Sequence, residues 1–276
     1  MTNRTASLAR AALARGLKQS NPGIGLDDHG YTATIHDSLI AGVELDDFEA
    51  DLRQGDGNEL TKKFRAAHSS SALAVNVFAP FKQKRGDLRL SGHGDFQAIG
   101  FERKCYHGIP NRRAPNLDVV AEAPGQIVAI ESKCIEYIAP HAAKFSDAYA
   151  ANLKDHLGES RWFAAMLDLI EHPHAYRWLD AAQLVKHSFG LSHTFADHGT
   201  VTLLYLYWEP ANPKDHPIFA AHREEIARFA AAVKGATPSF AAMSYPELWY
   251  RWDSGPAPEW LAIHLGRLRA RYVVTM

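Results

Sequence analysis

Pro115-Asn116-Leu117-Asp118-Val119-Val120-Ala121-Glu122-Ala123-Pro124-Gly125-Gln126-Ile127-Val128-Ala129-Ile130-Glu131-Ser132-Lys133 is the stretch whose reading decides the fold. Two apolar runs, residues 117–123 and 126–134, flank Pro124-Gly125, a turn dipeptide, and together they predict a β-hairpin. Residues two apart in a strand share a face, so Glu131 and Lys133 point the same way, with Ile127 and Ala129 behind them. With a two- or four-residue loop, Ala123 faces Gln126, Glu122 faces Ile127 and Asp118 faces Glu131. A three- or five-residue loop would break that register.

Directly opposed residues hold their Cβ atoms about 4.5–5.5 Å apart. Two carboxylates at that separation repel unless a positive charge lies between them. A divalent cation supplies one, since octahedral Mg²⁺ takes one or two carboxylates and keeps several waters. Lys133 would then orient a water or stabilise charge on a phosphoryl group. The plainer alternative is a solvated strand, because Glu-x-Lys is a common surface pattern and recurs as Glu102-Arg103-Lys104. Context separates the two copies. Glu131 ends the apolar run Ile127–Ile130, where a buried charge is costly without a function, whereas Glu102 is read as a surface residue.

Working outward, Asn58 reads as an N-cap with Glu59 in the first turn and Leu60, Phe64 and Ala67 at helical spacing, predicting a helix to about Asn76. Residues 95–101 predict a short strand. Beyond the hairpin, helices are expected over about 141–157, 161–170 and 176–189, the last two separated by His172-Pro173-His174. Residues 201–208, β-branched and aromatic between Gly199 and Pro210, predict a buried strand. Helices over 215–233, 245–252 and 260–272 complete the chain. The expected fold is one α/β domain with a mixed central sheet flanked by helices.

Composition narrows the class. Among 276 residues, 19 Gly and 14 Pro are an ordinary share, which excludes a collagen-like or disordered chain. No apolar run approaches the roughly 20 residues of a membrane span. Two cysteines, Cys105 and Cys134, cannot build a disulfide framework and suggest a reducing, cytoplasmic setting. Residues 1–20 are Ala-rich, carry four basic side chains and no acid, and predict a helical arm; a mitochondrial transit peptide reads similarly. The net charge of −1 argues against nonspecific coating of nucleic acid, yet residues 61–113 hold eleven basic side chains against three acids. Within that block Arg103, Lys104, Arg112 and Arg113 lead into the Asp118 strand and could seat a phosphate backbone, or simply face solvent.

The Pro115–Asp118 segment followed by Glu131-Ser132-Lys133 resembles the signature of the PD-(D/E)XK nuclease superfamily, the restriction-endonuclease-like fold. The acid here stands three residues after the proline, a departure from a strict Pro-Asp. The order helix, strand, hairpin, helix, strand also fits. Gly55–Leu60 and Ser69–Asn76, the latter followed by Phe78, resemble segments of a bacterial branch. The resemblance implies a metal-dependent nuclease acting on nucleic acid, with DNA favoured. It implies Asp118 and Glu131 as ligands of Mg²⁺ or Mn²⁺ and Lys133 at the attacking water. Glu59 matches a further helix carboxylate, although a first-turn acid favoured by the helix dipole reads the same. Gln183 matches a polar position aimed at the site. Residues 1–54 would form an arm with acidic loops, and 55–276 the nuclease-like domain with C-terminal helices. A homodimer is left open.

Fifteen histidines form no His-Glu-x-x-His and the cysteines no Cys-x-x-Cys, so a zinc site is not expected. Two other functions stay open: a non-catalytic nucleic-acid-binding protein on the same fold, and a metal-dependent hydrolase of a small phosphorylated molecule.

Overall fold

The computed structural model describes residues 2–54, 63–110 and 112–276. Five strands form one sheet in sequential order: β1 (Ala98–Lys104), β2 (Asn116–Ala123), β3 (Gln126–Lys133), β4 (Thr200–Tyr207) and β5 (Ser239–Ser244). β1, β2 and β3 are antiparallel neighbours, whereas β4 and β5 run parallel to β3. Helices α1 (Thr2–Ser20), α2 (Glu49–Gln54) and α3 (Ser70–Phe78) precede or flank the first strand. The β3–β4 connection carries α4 (Asp147–Leu157), α5 (Arg161–Glu171) and α6 (Ala181–Thr194). α7 (Pro217–Ala232) joins β4 to β5, and α8 (Tyr245–Asp253) and α9 (Glu259–Tyr272) close the chain. This is the mixed α/β architecture expected from the hairpin and its flanks. No helix among the described residues is long and apolar enough to cross a membrane.

Both sheet faces are covered. Ser132 on one face of β3 bonds Tyr245 of α8 at 2.6 Å and approaches the Ser70 carbonyl of α3. Glu131 on the other meets His187 of α6. Burial on both faces explains why β3 and β4 read as continuous apolar runs rather than alternating ones. The N-terminal helix does not stand apart, since Ala9, Ala12 and Leu13 belong to the same buried cluster as the sheet.

Several local expectations shift. The hairpin turns on two residues, with Gly125 at φ 69°, so the predicted facing pairs Ala123–Gln126 and Glu122–Ile127 are present. The strand expected over 95–101 lies at Ala98–Lys104, because Asp95 adopts φ 57° and breaks the extended run before it. Asn58 and Glu59 fall outside the described residues. What is described of the helix expected there is a 3₁₀ turn, Lys63–Arg65, and then α3, which starts afresh because the Ser69 side chain caps the Ala72 N–H. The helix expected from 141 begins at Asp147, since the chain before it bonds outward, His141 N–H to Arg177 O and Ala143 N–H to Pro173 O. α6 starts at Ala181, where Asp180 caps Gln183, rather than at Tyr176. β5 and α2 were not expected.

Asn76, in the segment likened to the bacterial branch, is fully buried and pins α3 to two distant pieces of chain. Its oxygen accepts from Ile40 N–H, and its amide donates to Ser38 O and to the Tyr272 hydroxyl of α9, each at 2.9 Å. Gly190 of α6 performs a different task. A Cβ there would lie 2.5 Å from the Cys105 carbonyl, so only glycine lets α6 settle against the chain between β1 and β2. That contact sets how α6 presents its side chains to the sheet.

Candidate active site

The site begins where two strands part. β2 and β3 pair from the turn as far as Val119–Ile130 and no further, while β3 stays paired with β4 as far as Lys133–Tyr207. Asp118 and Glu131 therefore face each other one rung beyond the ladder's end, not as the directly opposed ladder pair expected. The Asp118 carboxylate fills the fork by accepting the Ser132 N–H at 2.6 Å, a backbone donor the separated strand leaves without a ladder partner. β1 contributes at the same level: Phe101 pairs with Val119 and Arg103 with Leu117, which sets Glu102 across from Asp118. Glu102, Asp118 and Glu131 thus form one rank across three strands.

Charges in this rank are tightly managed. Lys133 Nζ lies 2.5 Å from Glu131 Oε1, and His187 Nε2 lies 2.9 Å from Glu131 Oε2, with both the Glu131 and His187 side chains almost wholly buried. Burial alone would raise the Glu131 pKa, but Lys133 and His187 hold it down to about 2. Burial would likewise lower Lys133, and the carboxylates of Glu131, Glu136 and Asp118 outweigh it, so the ammonium persists well past neutral pH. Asp118 is the opposite case. Burial, then Glu131, then Glu102 push its carboxyl well above the usual range, offset in part by Lys133 and the Ser132 N–H.

A cleft of about 710 Å³ opens on this fork. Glu102, Asp118, Glu131 and Lys133 line it from the sheet, and Gln183, Lys186 and His187 from α6. Gln183 and His187 stand four residues apart and so share a helix face, and Gln183 is half-buried rather than exposed. Of the four basic residues singled out in the sequence, Arg113 lines the cleft; Arg103 and Lys104 lie on β1, and Arg112 is exposed in the following loop. Arg10 of α1 lines both this cleft and an adjoining trough of about 910 Å³ walled by Lys18, Tyr31 and Arg65.

Sequence reasoning missed Glu102, His187 and Arg10. The stripe Gln183-x-x-x-His187 was visible, but which face of α6 meets the sheet is set by contacts such as Gly190 on Cys105. Cys105 and Cys134 are buried free thiols that do not line the cleft.

The donors suit a hard divalent cation. Oxygen predominates, and Asn116 Oδ1 at the mouth of β2 is buried with no hydrogen-bond partner, while its amide donates to Glu102 at 3.3 Å. Among the described residues, no three His, Cys, Asp or Glu side chains are drawn together as a ready-made metal cage. Such a cage is not required of Mg²⁺, which keeps several waters and takes one or two carboxylates.

No curated protein and no solved structure matches the chain. The family described as Restriction Endonuclease associating with ARP matches residues 10–273, from the first helix to the end of the last. A mixed five-stranded sheet flanked by helices, with a charged cleft at the β2–β3 fork, fits that description, and the chain belongs to this restriction-endonuclease-like family.

Proposed function

We propose that the protein is a PD-(D/E)XK-type, metal-dependent nuclease that hydrolyses phosphodiester bonds in DNA. The observation that carries this reading is the buried Glu131–Lys133 pair set beside Asp118 in an open cleft. Burying such a trio at the end of a core strand costs stability and is understandable where the charges do chemistry. Asp118 and Glu131 would hold Mg²⁺ or Mn²⁺, which when bound polarises a phosphate and lowers the pKa of a coordinated water. Lys133 stays protonated, so it acts as a donor to the water or to phosphoryl oxygens rather than as a general base. Gln183 offers an amide donor and acceptor from α6 on the same cleft. Arg10, Arg113 and Lys186 would draw the polyanionic backbone in.

The direct test incubates purified protein with supercoiled plasmid, linear duplex, single-stranded DNA and RNA, with Mg²⁺ or Mn²⁺ and with EDTA. Cation-dependent cutting of DNA is expected. Binding without cutting would identify a non-catalytic nucleic-acid-binding protein, and turnover of small phosphomonoesters alone a small-molecule hydrolase; either result overturns the reading.

Affinity should depend on the cleft rather than on the whole basic block. Each lost phosphate contact lowers the log–log salt slope for duplex DNA by about 0.9. Changing Arg10 and Arg113 to Ala should flatten the slope by about that amount per residue, measured in Ca²⁺ by fluorescence anisotropy. Changing Arg103, Lys104 and Arg112 together should flatten it less. Equal slopes for all three proteins would return these residues to solvated surface.

A further inference from the structure

The trough of about 910 Å³ beside the cleft continues it, because Arg10, Tyr31 and His68 line both. One wall is α1. Ser7, Arg10, Ala11, Ala14 and Lys18 face the trough, and their spacing puts them on a single stripe of the helix. On the other side of α1, Ala9, Ala12, Leu13 and Leu17 are buried. Gly16 lies so close to the Arg271 carbonyl of α9 that a Cβ there would collide with it. The stripe is therefore fixed by the core and is not a loose arm.

The facing wall is the turn over residues 26–31. The Asp27 carboxylate accepts the N–H groups of His29 and Tyr31, both at 2.9 Å, which sets the turn and engages that charge. The half-buried Tyr31 ring stands edge-on to His68, centroids 6.4 Å apart, where trough and cleft meet. Arg65 closes this side, its guanidinium donating to the Ala33 carbonyl at 2.9 Å. Among the described lining residues, Arg10, Lys18 and Arg65 thus stand against Asp27, already engaged, and Asp28. Arg10 and Lys18 are exposed, and neither has an ion-pair partner among the described residues.

We propose that the trough carries a single-stranded flank of the nucleic acid whose reacting phosphate lies in the cleft. Arg10 and Lys18 would follow its backbone, and the Tyr31 ring would stack on a base. The proposal rests on the nuclease reading above and deepens it by making an unpaired segment part of the substrate. Two features select this occupant. Arg10 and Lys18 lie in file, about 12 Å apart along the helix axis, with only Ala11 and Ala14 of the stripe between them, so a phosphate backbone can run close to α1. The aromatic ring at the junction suits an unstacked base, because a basic groove set with aromatic side chains is the arrangement that tracks single strands. Bases inside a duplex are already stacked on one another and cannot use it.

The test is fluorescence anisotropy of the full chain in Ca²⁺, with a single strand and a duplex, each about 16 nucleotides long. Lys18 is exposed, so Lys18→Gln should fold as the parent does. It is expected to flatten the log–log salt slope for the single strand by about 0.7, one phosphate contact, and to leave the duplex slope as it is. Arg15→Gln removes the same charge from the same helix, where Arg15 bonds the Thr275 carbonyl away from the trough, and should change neither slope. Tyr31→Ala should weaken the single strand about fivefold or more and the duplex not at all, with Tyr31→Phe restoring affinity. If Tyr31→Ala does not fold, the Lys18→Gln slopes decide alone. An unchanged single-strand slope in Lys18→Gln overturns the proposal, and equal losses from strand and duplex overturn it in favour of a duplex contact. In both cases a parent that still cuts DNA leaves the nuclease reading standing. A parent that neither binds nor cuts nucleic acid fails that reading, and the proposal with it.

Discussion

Replacing Lys133 by Met should lower DNA cleavage about 10²–10³-fold, the scale on which a donor placed at developing transition-state charge contributes. The single variant has a second effect that must be separated from the first. Glu131 is almost wholly buried and shares its charge with Lys133 and His187. Removing the ammonium strands a carboxylate in the interior, a change that typically costs about 3–5 kcal/mol. Lys133→Met is thus expected to melt well below the parent, and its inactivity alone would be ambiguous. The double variant Glu131→Gln/Lys133→Met resolves this, because the buried Glu131–Lys133 pair is removed together and the two costs are strongly non-additive. It should recover most of the lost stability yet remain inactive. Parent-like cleavage by the folded double variant would place catalysis outside this site. The same pair makes a pH statement. Glu131 is held down to about 2 in the fold, so its contribution is present above the ordinary carboxylate pKa and is lost as pH falls towards 2.

How much of this was legible depended on the range of the interactions involved. The β2–β3 hairpin was readable because its determinants are adjacent: Pro124-Gly125 fixes a two-residue turn, and the turn fixes every pairing behind it. The fork was not readable. Strands stop pairing at Val119–Ile130 because β3 follows β4 while the Asp118 side chain takes the Ser132 N–H, and β4 enters the chain some seventy residues later. Glu102 was read as surface for a related reason, although it lines the cleft. Its neighbours Arg103 and Lys104 look like surface, and only the β1–β2 register brings it level with Asp118. α3 begins at a cap the sequence reading did not use, since the Ser69 side chain accepts the Ala72 N–H and the helix starts there. β5, with Ser-Phe-Ala-Ala-Met-Ser, lacks β-branched residues altogether and is a strand only because β4 offers it an edge.

Asp118→Asn tests the electrostatics of the fork without reference to catalysis. The substitution conserves shape, and the amide oxygen can still accept the Ser132 N–H that Asp118 accepts now. Its new NH₂ group can donate towards carboxylates instead of repelling them. Because burial, Glu131 and Glu102 raise the folded-state pKa of Asp118, ionising it at neutral pH works against folding. The sign follows directly: the penalty is absent below the unfolded-state pKa, where the carboxyl is protonated in both states, and grows as pH rises above it. In EDTA at pH 7 the variant should therefore be more stable than the parent, by about 1 kcal/mol once screening and relaxation reduce the direct charge–charge repulsion. For a chain of this size that is a rise of about 2–4 °C in Tm. The advantage should shrink towards pH 4. Millimolar Mg²⁺ should reverse the order, since an ion stabilises only the folded site that binds it, and Asp118→Asn removes one of the charges that bind. Thermal melts of both proteins with EDTA and with Mg²⁺ give the four values needed. A variant that melts lower in EDTA and gains from Mg²⁺ as the parent does would make Asp118 a structural acceptor for the Ser132 N–H, with the ion held elsewhere.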